Sequence, residues 1–173
     1  MNIMLIALIY YINTYPFNKI SCKDLPKEFS IVYSKYSLYN YLELILSRLI
    51  LTDDVSGIIA STFILINKLI MKGMQLNIYN QHKILAICLM ISSKLIQDDH
   101  YYNDDWSIVT DIPIKELNMM EKTILILLEY DIFVSRESYN ITLKVLMYIP
   151  IQRALNCIDN KNIPNIKLAE AIK

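Results

Sequence analysis

The feature that most constrains the fold of this sequence is a segment, residues 84–91, in which every side chain is apolar. We predict a helix around it, from Asn80 to about Gln97. An α-helix that is apolar on all sides must be covered on all sides, because solvent would otherwise contact apolar surface. The segment therefore predicts the central helix of a helical bundle.

The composition supports a single all-α domain. Only two glycines occur in 173 residues, and β-sandwiches and nucleotide-binding α/β sheets need many turn glycines. Seventeen Lys and Arg residues balance seventeen Asp and Glu residues. We therefore expect neither nucleic acid nor a membrane surface as a partner, since both attract an excess of basic residues.

The cysteines and histidines predict no zinc site and no cofactor. Cys22, Cys88 and Cys157 are widely spaced, and only two histidines accompany them. Cys88 lies within the apolar segment, where a free cysteine packs as a small hydrophobic residue. Unpaired cysteines fit a reducing compartment, so the expected location is cytoplasmic and/or nuclear.

The first twelve residues are almost all apolar, but too few to span a bilayer, which takes about 20. They lack the positive charge and the small-residue cleavage site of a signal peptide. We predict an N-terminal helix packed on the core, with a cleaved signal as the alternative, and no transmembrane helix.

Helix-end signals place five helices within residues 36–134, flanked by further helices. The predicted units are residues 1–35, an N-terminal helix and lead-in; residues 36–148, the five helices and the helix after them; and residues 149–173, a C-terminal tail. The five predicted helices run from Tyr39 to Leu51, from the caps Asp53 and Asp54 to Met71, from Asn80 to Gln97, from Asn103 through a short segment, and from Pro113 to Tyr130. A further helix is predicted from Ser135 to just before Pro150. A separate short helix at 151–157 is the last element that the sequence offers.

Two charged residues fall on the apolar sides of their helices. Ile84, Ile87, Ile91 and Leu95 define a face from which Lys94 also projects, and Glu121 lies within the stripe Leu117, Met120, Ile124 and Leu128. A charge in such a place costs several kcal/mol unless it is paired. The two residues either form an internal salt bridge or lie at the rim of a groove that binds another protein, and periodicity alone leaves both open.

No constellation of catalytic residues is present. The sequence has no Gly-rich phosphate loop, no His-Glu-x-x-His motif and no nucleophile–histidine arrangement. The acidic residues around Asp98–Asp105 fit the end of one helix and the start of the next better than a metal site. We expect no enzymatic activity, no metal and no small-molecule substrate.

Three segments together resemble the cyclin box, and most closely the P-type and U-type cyclins of the phosphate-response class. They are Ser92-Ser-Lys-Leu-Ile-Gln-Asp-Asp-His-Tyr-Tyr-Asn-Asp-Asp-Trp106, Lys115-Glu-Leu-Asn-Met-Met-Glu121 and Glu129-Tyr-Asp-Ile-Phe-Val-Ser135. The resemblance covers about residues 36–140. It implies a five-helix box and a regulatory subunit of a cyclin-dependent protein kinase, with a role in the cell cycle.

The resemblance also assigns residues. The interface lysine of cyclins, in their Ser-Lys element, falls on Lys94, and their interface glutamate falls on Glu121. These two are therefore the expected kinase-binding residues. The alternative is a cyclin-fold scaffold that binds other proteins and no kinase.

The sequence departs from cell-cycle cyclins at three points. Their Tyr-Ile-Asp-Arg element aligns with Leu65-Ile-Asn-Lys68, and the arginine that would pair with the Asp has no counterpart in residues 36–41. The Met-Arg-x-x-Leu docking patch is absent, so substrate recruitment through it is not expected. The residues beyond Pro150 are too few for a second box, which predicts a single-box cyclin.

Overall fold

The computed structural model describes residues 3–14, 29, 36–49 and 54–158, with side chains as far as Tyr148. This part of the chain is helical and contains no strand. Its helices are α1 (Ile3–Thr14), α2 (Leu38–Arg48), α3 (Val55–Met71), α4 (Gln81–Ile96), α5 (Asn103–Thr110), α6 (Ile114–Leu127) and α7 (Arg136–Ile158). The predicted all-α fold is confirmed: α2–α6 are the five helices of the box, and α1 and α7 flank them.

Helix α4 lies at the centre of the bundle, as its apolar middle predicts. Residues 84–90 are completely buried and Ile91 nearly so, because α2, α3 and α6 all pack against this helix. Cys88 is one of these buried residues, and its burial raises the pKa of the thiol. It packs as a small apolar side chain, as predicted.

Hydrogen-bonded caps fix the helix boundaries near the predicted positions. Asp54 Oδ1 accepts from the Gly57 amide at 2.8 Å at the start of α3, and Ser135 Oγ accepts from the Ser138 amide at 3.1 Å before α7. Gly73 follows α3 with φ +92°, a conformation that glycine adopts at low cost. Local side-chain chemistry therefore determines where these helices begin and end.

Helix α6 ends at Leu127, three residues before the predicted end at Tyr130. Glu129 and Tyr130 have φ values of +55° and +59°, which stop the helix. Two lysines at the C-terminal end of α3 bind the turn that follows α6. Lys68, in the last turn of α3, contacts Asp131 Oδ2 through Nζ at 2.9 Å, and Lys72, the residue after α3, contacts Glu129 Oε1 through Nζ at 2.6 Å. These contacts supply a physical reason for the earlier end.

Helix α1 is part of the core. Its side chains at Ala7, Leu8 and Ile12 are fully buried, and the helix packs against α2, α3 and α7. Tyr11 donates its hydroxyl hydrogen to Asn67 Oδ1 on α3 at 2.6 Å. Asn67 is the position where the cyclin pattern has an aspartate. Because its side chain is a neutral amide, a neutral hydroxyl group from α1 is a sufficient hydrogen-bond partner.

Helix α7 corrects one prediction. The predicted end before Pro150 is wrong, because the backbone stays helical to Ile158. A proline removes one hydrogen bond within the helix and strains the preceding turn. The packing of α7 against α1 and α3 offsets that local cost, so one long helix replaces the predicted helix and separate short helix.

Several predictions lie outside the described residues. The lead-in at 18–35 is described only at Phe29, which is buried, and the side chains of Cys22, Asp53 and Cys157 are not described. Within the part that is described, no helix combines the length and hydrophobicity needed to span a membrane.

The burial of α1 generates the first prediction. Ile12→Ala is expected to lower the free energy of unfolding by about 2–5 kcal/mol, because it leaves a cavity in the core. Asn13→Ala changes the neighbouring exposed residue of the same helix. This variant is expected to change the free energy of unfolding by less than about 0.5 kcal/mol. Urea denaturation of both variants measures the difference, and equal stabilities would contradict the packing of α1.

Candidate functional site

The two charged residues predicted from the sequence meet between α4 and α6. Lys94 lies in the last turn of α4 and Glu121 in the middle of α6. Lys94 Nζ donates to Glu121 Oε1 at 2.6 Å. The side chains are 24% and 17% exposed, so the pair is sheltered by the bundle but reaches its surface. The internal salt bridge that the sequence left open is therefore present.

An asparagine joins both members of this pair. Asn103, the first residue of α5, accepts a hydrogen bond from Lys94 Nζ through Oδ1. Its Nδ2 donates to Glu121 Oε2 at 2.7 Å and to Asn118 Oδ1, also at 2.7 Å. The four side chains Lys94, Asn103, Asn118 and Glu121 form a polar network that connects three helices, here called the Lys94 network.

The Lys94 network retains hydrogen-bonding capacity. An ammonium group has three donors, and the described residues use two of those on Lys94. A carboxylate has about four acceptor sites, and the described residues use two on Glu121. A cavity of about 380 Å³ opens beside Lys94 and Asn103. A group in this cavity can therefore bond to Lys94 while the salt bridge stays intact, and Glu121 keeps unused acceptor sites.

An apolar surface adjoins the lysine. Leu95, which the helical pattern placed on the buried face, is 46% exposed; this part of the prediction is wrong, because the last turn of α4 emerges from the bundle. Leu95 lines a cavity of about 420 Å³ together with Ile132 and Phe133. Phe133 is 75% exposed. The C-terminal end of α4 thus carries Lys94 of the charge pair and, directly after it, the accessible hydrophobic side chain of Leu95.

A second lysine–glutamate bridge joins the N-terminal ends of the same two helices. Lys83, in the first turn of α4, contacts Glu116, in the first turn of α6, at 2.5 Å. The described residues place no asparagine between these two charges. The Lys83–Glu116 pair therefore provides an internal comparison for the Lys94 network, with the same residue types on the same helices.

One residue of the acidic stretch, Asp105, caps α5 from within its first turn. Asp98, Asp99 and Asp104 are exposed, while Asp105 Oδ2 accepts from the Tyr102 amide at 3.1 Å. Trp106 is fully buried and anchors α5 in the core, as expected of core packing. No three His, Cys, Asp or Glu side chains are placed to hold a metal ion within the described ranges.

The sequence did not identify two members of the network. Asn103 was predicted only as the start of a short helix, and Asn118 was seen only as part of a motif. Neither residue breaks the apolar pattern of its helix, so periodicity gives no signal for it. Their partnership depends on how α5 packs on α6, which is a tertiary contact.

Comparison with known proteins agrees with this architecture. The family model named Cyclin matches residues 30–132, more than half of the chain. A 56-residue segment is 38% identical to Cyclin-U1-1 of Arabidopsis thaliana, covering 32% of this chain and 27% of that protein. A 62-residue segment is 29% identical to Cyclin-P1-1 of Oryza sativa subsp. japonica, covering 36% of this chain and 24% of that protein. The chain thus matches about a quarter of the length of these curated relatives, and the predicted resemblance is confirmed.

The bridge geometry generates the second prediction. Lys94→Met and Glu121→Gln are each expected to lower the free energy of unfolding by about 1–3 kcal/mol, because each leaves a sheltered charge without its partner. The double variant is expected to recover part of the summed loss, since neither charge is then stranded. Denaturant unfolding of the two single variants and the double variant measures the coupling. Strictly additive losses would show that the two charges do not stabilise each other.

Proposed function

The chain belongs to the cyclin family, and from that premise we propose that it binds and activates a cyclin-dependent serine/threonine protein kinase. The observation that carries the proposal is the Lys94–Glu121 pair at the protein surface. These are the two positions at which the cyclin resemblance implies kinase contacts. A regulatory role agrees with the family, and no enzymatic activity of the chain itself is proposed.

The unused hydrogen-bonding capacity of the pair suits a protein partner. Lys94 offers a donor and Glu121 offers acceptors within one small area, so a backbone carbonyl and a backbone N–H can both bind there. Charge-assisted hydrogen bonds of this kind are stronger than neutral ones. They fix the orientation of a partner, because donor and acceptor must both be matched.

The neighbouring apolar surface supports the same proposal. Interfaces combine a hydrophobic centre with polar groups at the rim. Leu95 directly follows Lys94 in α4, and Leu95 and Phe133 present accessible apolar side chains along one cavity. Burying them against a helix of the partner adds affinity, while Lys94 and Glu121 determine how that helix is placed.

Binding of this kind activates a kinase through a population shift. Kinase activity requires a glutamate of the mobile αC helix to pair with the lysine that holds the ATP phosphates. A partner that binds only the inward position of αC raises the population of the active state. We place this function in the cytoplasm and/or the nucleus, as expected from the odd number and wide spacing of the three cysteines.

The second candidate is a cyclin-fold interaction module that does not bind a kinase. It is favoured by one observation: Lys94 and Glu121 already pair with each other, and both hydrogen-bond to Asn103, within the chain. A structural role alone would explain why these charges are tolerated on apolar helix faces. The two candidates differ in what happens when the pair is removed.

The third prediction distinguishes these candidates. The tagged chain is purified from cells of its own source, the co-purifying kinase is identified, and that kinase is then combined with the purified chain. Lys94→Ala and Glu121→Ala are each expected to weaken binding about 30-fold or more, since losing a charged partner at an interface costs about 2–5 kcal/mol. Affinity is measured by titration calorimetry, and activation by phosphorylation of a peptide substrate.

The matched control is the Lys83–Glu116 pair. Glu116→Ala also removes one carboxylate from a bridge between α4 and α6, so it tests the effect of lost stability alone. It is expected to leave kinase affinity within about 3-fold of that of the unaltered chain, because no contact of the proposed surface is lost. Equal losses for Glu116→Ala and Glu121→Ala, or no kinase bound by the unaltered chain, would favour the interaction module.

A further inference from the structure

We propose that Asn103 is a positioning residue of the kinase-binding surface, which holds Lys94 and Glu121 in the geometry that the kinase recognises. This inference rests on the proposed function and goes beyond it. It assigns a role to Asn103, a residue of α5 that the apolar periodicity of the sequence does not single out. The evidence for that role is the set of hydrogen bonds that its side chain makes.

The amide group of Asn103 uses its bonding capacity on the Lys94 network. Its oxygen accepts from Lys94 Nζ, and its nitrogen donates both to Glu121 Oε2 and to Asn118 Oδ1. A carboxamide carries an acceptor and two donors on one planar group. It is therefore matched to a position between a cation and an anion, where a carboxylate or a hydroxyl group would satisfy only part of the arrangement.

The position of this amide is fixed by α5 rather than by the two charges. Asn103 is the first residue of α5, and Asp105 Oδ2 holds the preceding Tyr102 amide at 3.1 Å. One turn further, the side chain of Trp106 is completely buried. The backbone that carries the amide is thus anchored in the core, so Asn103 restricts two long side chains that would otherwise rotate at the surface.

That restriction matters for binding because ordering flexible side chains costs free energy when a complex forms. Lys94 and Glu121 each carry several rotatable bonds. Held by Asn103, they already occupy one geometry in the free chain, and Lys94 and Asn103 both line one cavity at the surface. Loss of the amide leaves the salt bridge in place but removes one of the two contacts that orient each charge.

The test begins with Asn103→Ala and the control Glu116→Ala in the 173-residue chain. Asn103→Ala is expected to weaken binding of the kinase identified above about 10-fold or more, the range for a lost hydrogen bond to a charged group. Glu116 pairs with Lys83 and hydrogen-bonds to no member of the Lys94 network in the described residues, so Glu116→Ala is expected to change affinity by less than about 3-fold. Circular dichroism at the assay temperature checks that both variants remain folded.

A second variant gives a readout that a merely structural role would not move. Asn103→Asp replaces the amide nitrogen by an oxygen that faces Glu121 Oε2, so two carboxylates share one site. Such pairs repel when both are ionised, and one of them takes up a proton more readily. The protonated carboxyl can again donate to Glu121. Kinase binding by this variant is therefore expected to be about 10-fold weaker than that of the unaltered chain at pH 8 and to recover as the pH falls to about 5.5.

The unaltered chain, measured at the same pH values, is the control for the other charged groups near the site. Lys94 faces the amide from α4, Glu121 faces it from α6, and Asp104 and His100 line the adjoining cavity. All of these groups are present in both chains. The ratio of the two affinities at each pH therefore isolates the effect of position 103.

The outcomes separate this inference from the proposal on which it rests. Kinase binding that is lost in Lys94→Ala but retained in Asn103→Ala overturns the role of Asn103 and leaves the proposed function standing. An Asn103→Asp curve parallel to that of the unaltered chain overturns it as well. No kinase binding by the unaltered chain overturns the proposed function, and the inference with it.

Discussion

The burial of α4 on every side is the constraint on which the rest of the structure depends. Seven consecutive side chains of this helix are completely covered, so a charge can be accommodated only toward its ends. Lys83 and Lys94 occupy those ends, and each binds a glutamate of α6. The same packing that excludes water from the middle of α4 thus brings Lys94 out at a surface, already paired and next to Leu95.

Elements governed by local chemistry could be predicted from the sequence, and elements governed by tertiary contacts could not. The cap at Asp54 and the apolar run of α4 are visible in the sequence because each depends on near neighbours. Lys94 and Glu121 were found for a similar reason, since each interrupts an apolar face. Asn103 gave no such signal, and the helix through Pro150 depends on the packing of α1 against α7.

The contact between Tyr11 and Asn67 shows how α1 is joined to the five-helix core. A buried charge at position 67 would need a cationic partner, and residues 36–41 contain none. An amide is satisfied by neutral groups: Asn67 accepts from the Tyr11 hydroxyl and donates to the Phe63 carbonyl oxygen at 2.9 Å. Because Tyr11 lies on α1, the hydrogen bonding of the α3 core is completed from outside the five helices.

The two properties of the Lys94 network, internal pairing and residual bonding capacity, are compatible with one function. A lone charge at this surface would have to be desolvated when a partner binds, at a cost of several kcal/mol. Lys94 and Glu121 are already partly desolvated and paired in the free chain. Most of their desolvation therefore takes place on folding, and little of it is left for the proposed binding step. Hydrophobic burial at Leu95 and Phe133 then supplies affinity, while the charges, held by Asn103, supply orientation and discrimination between partners.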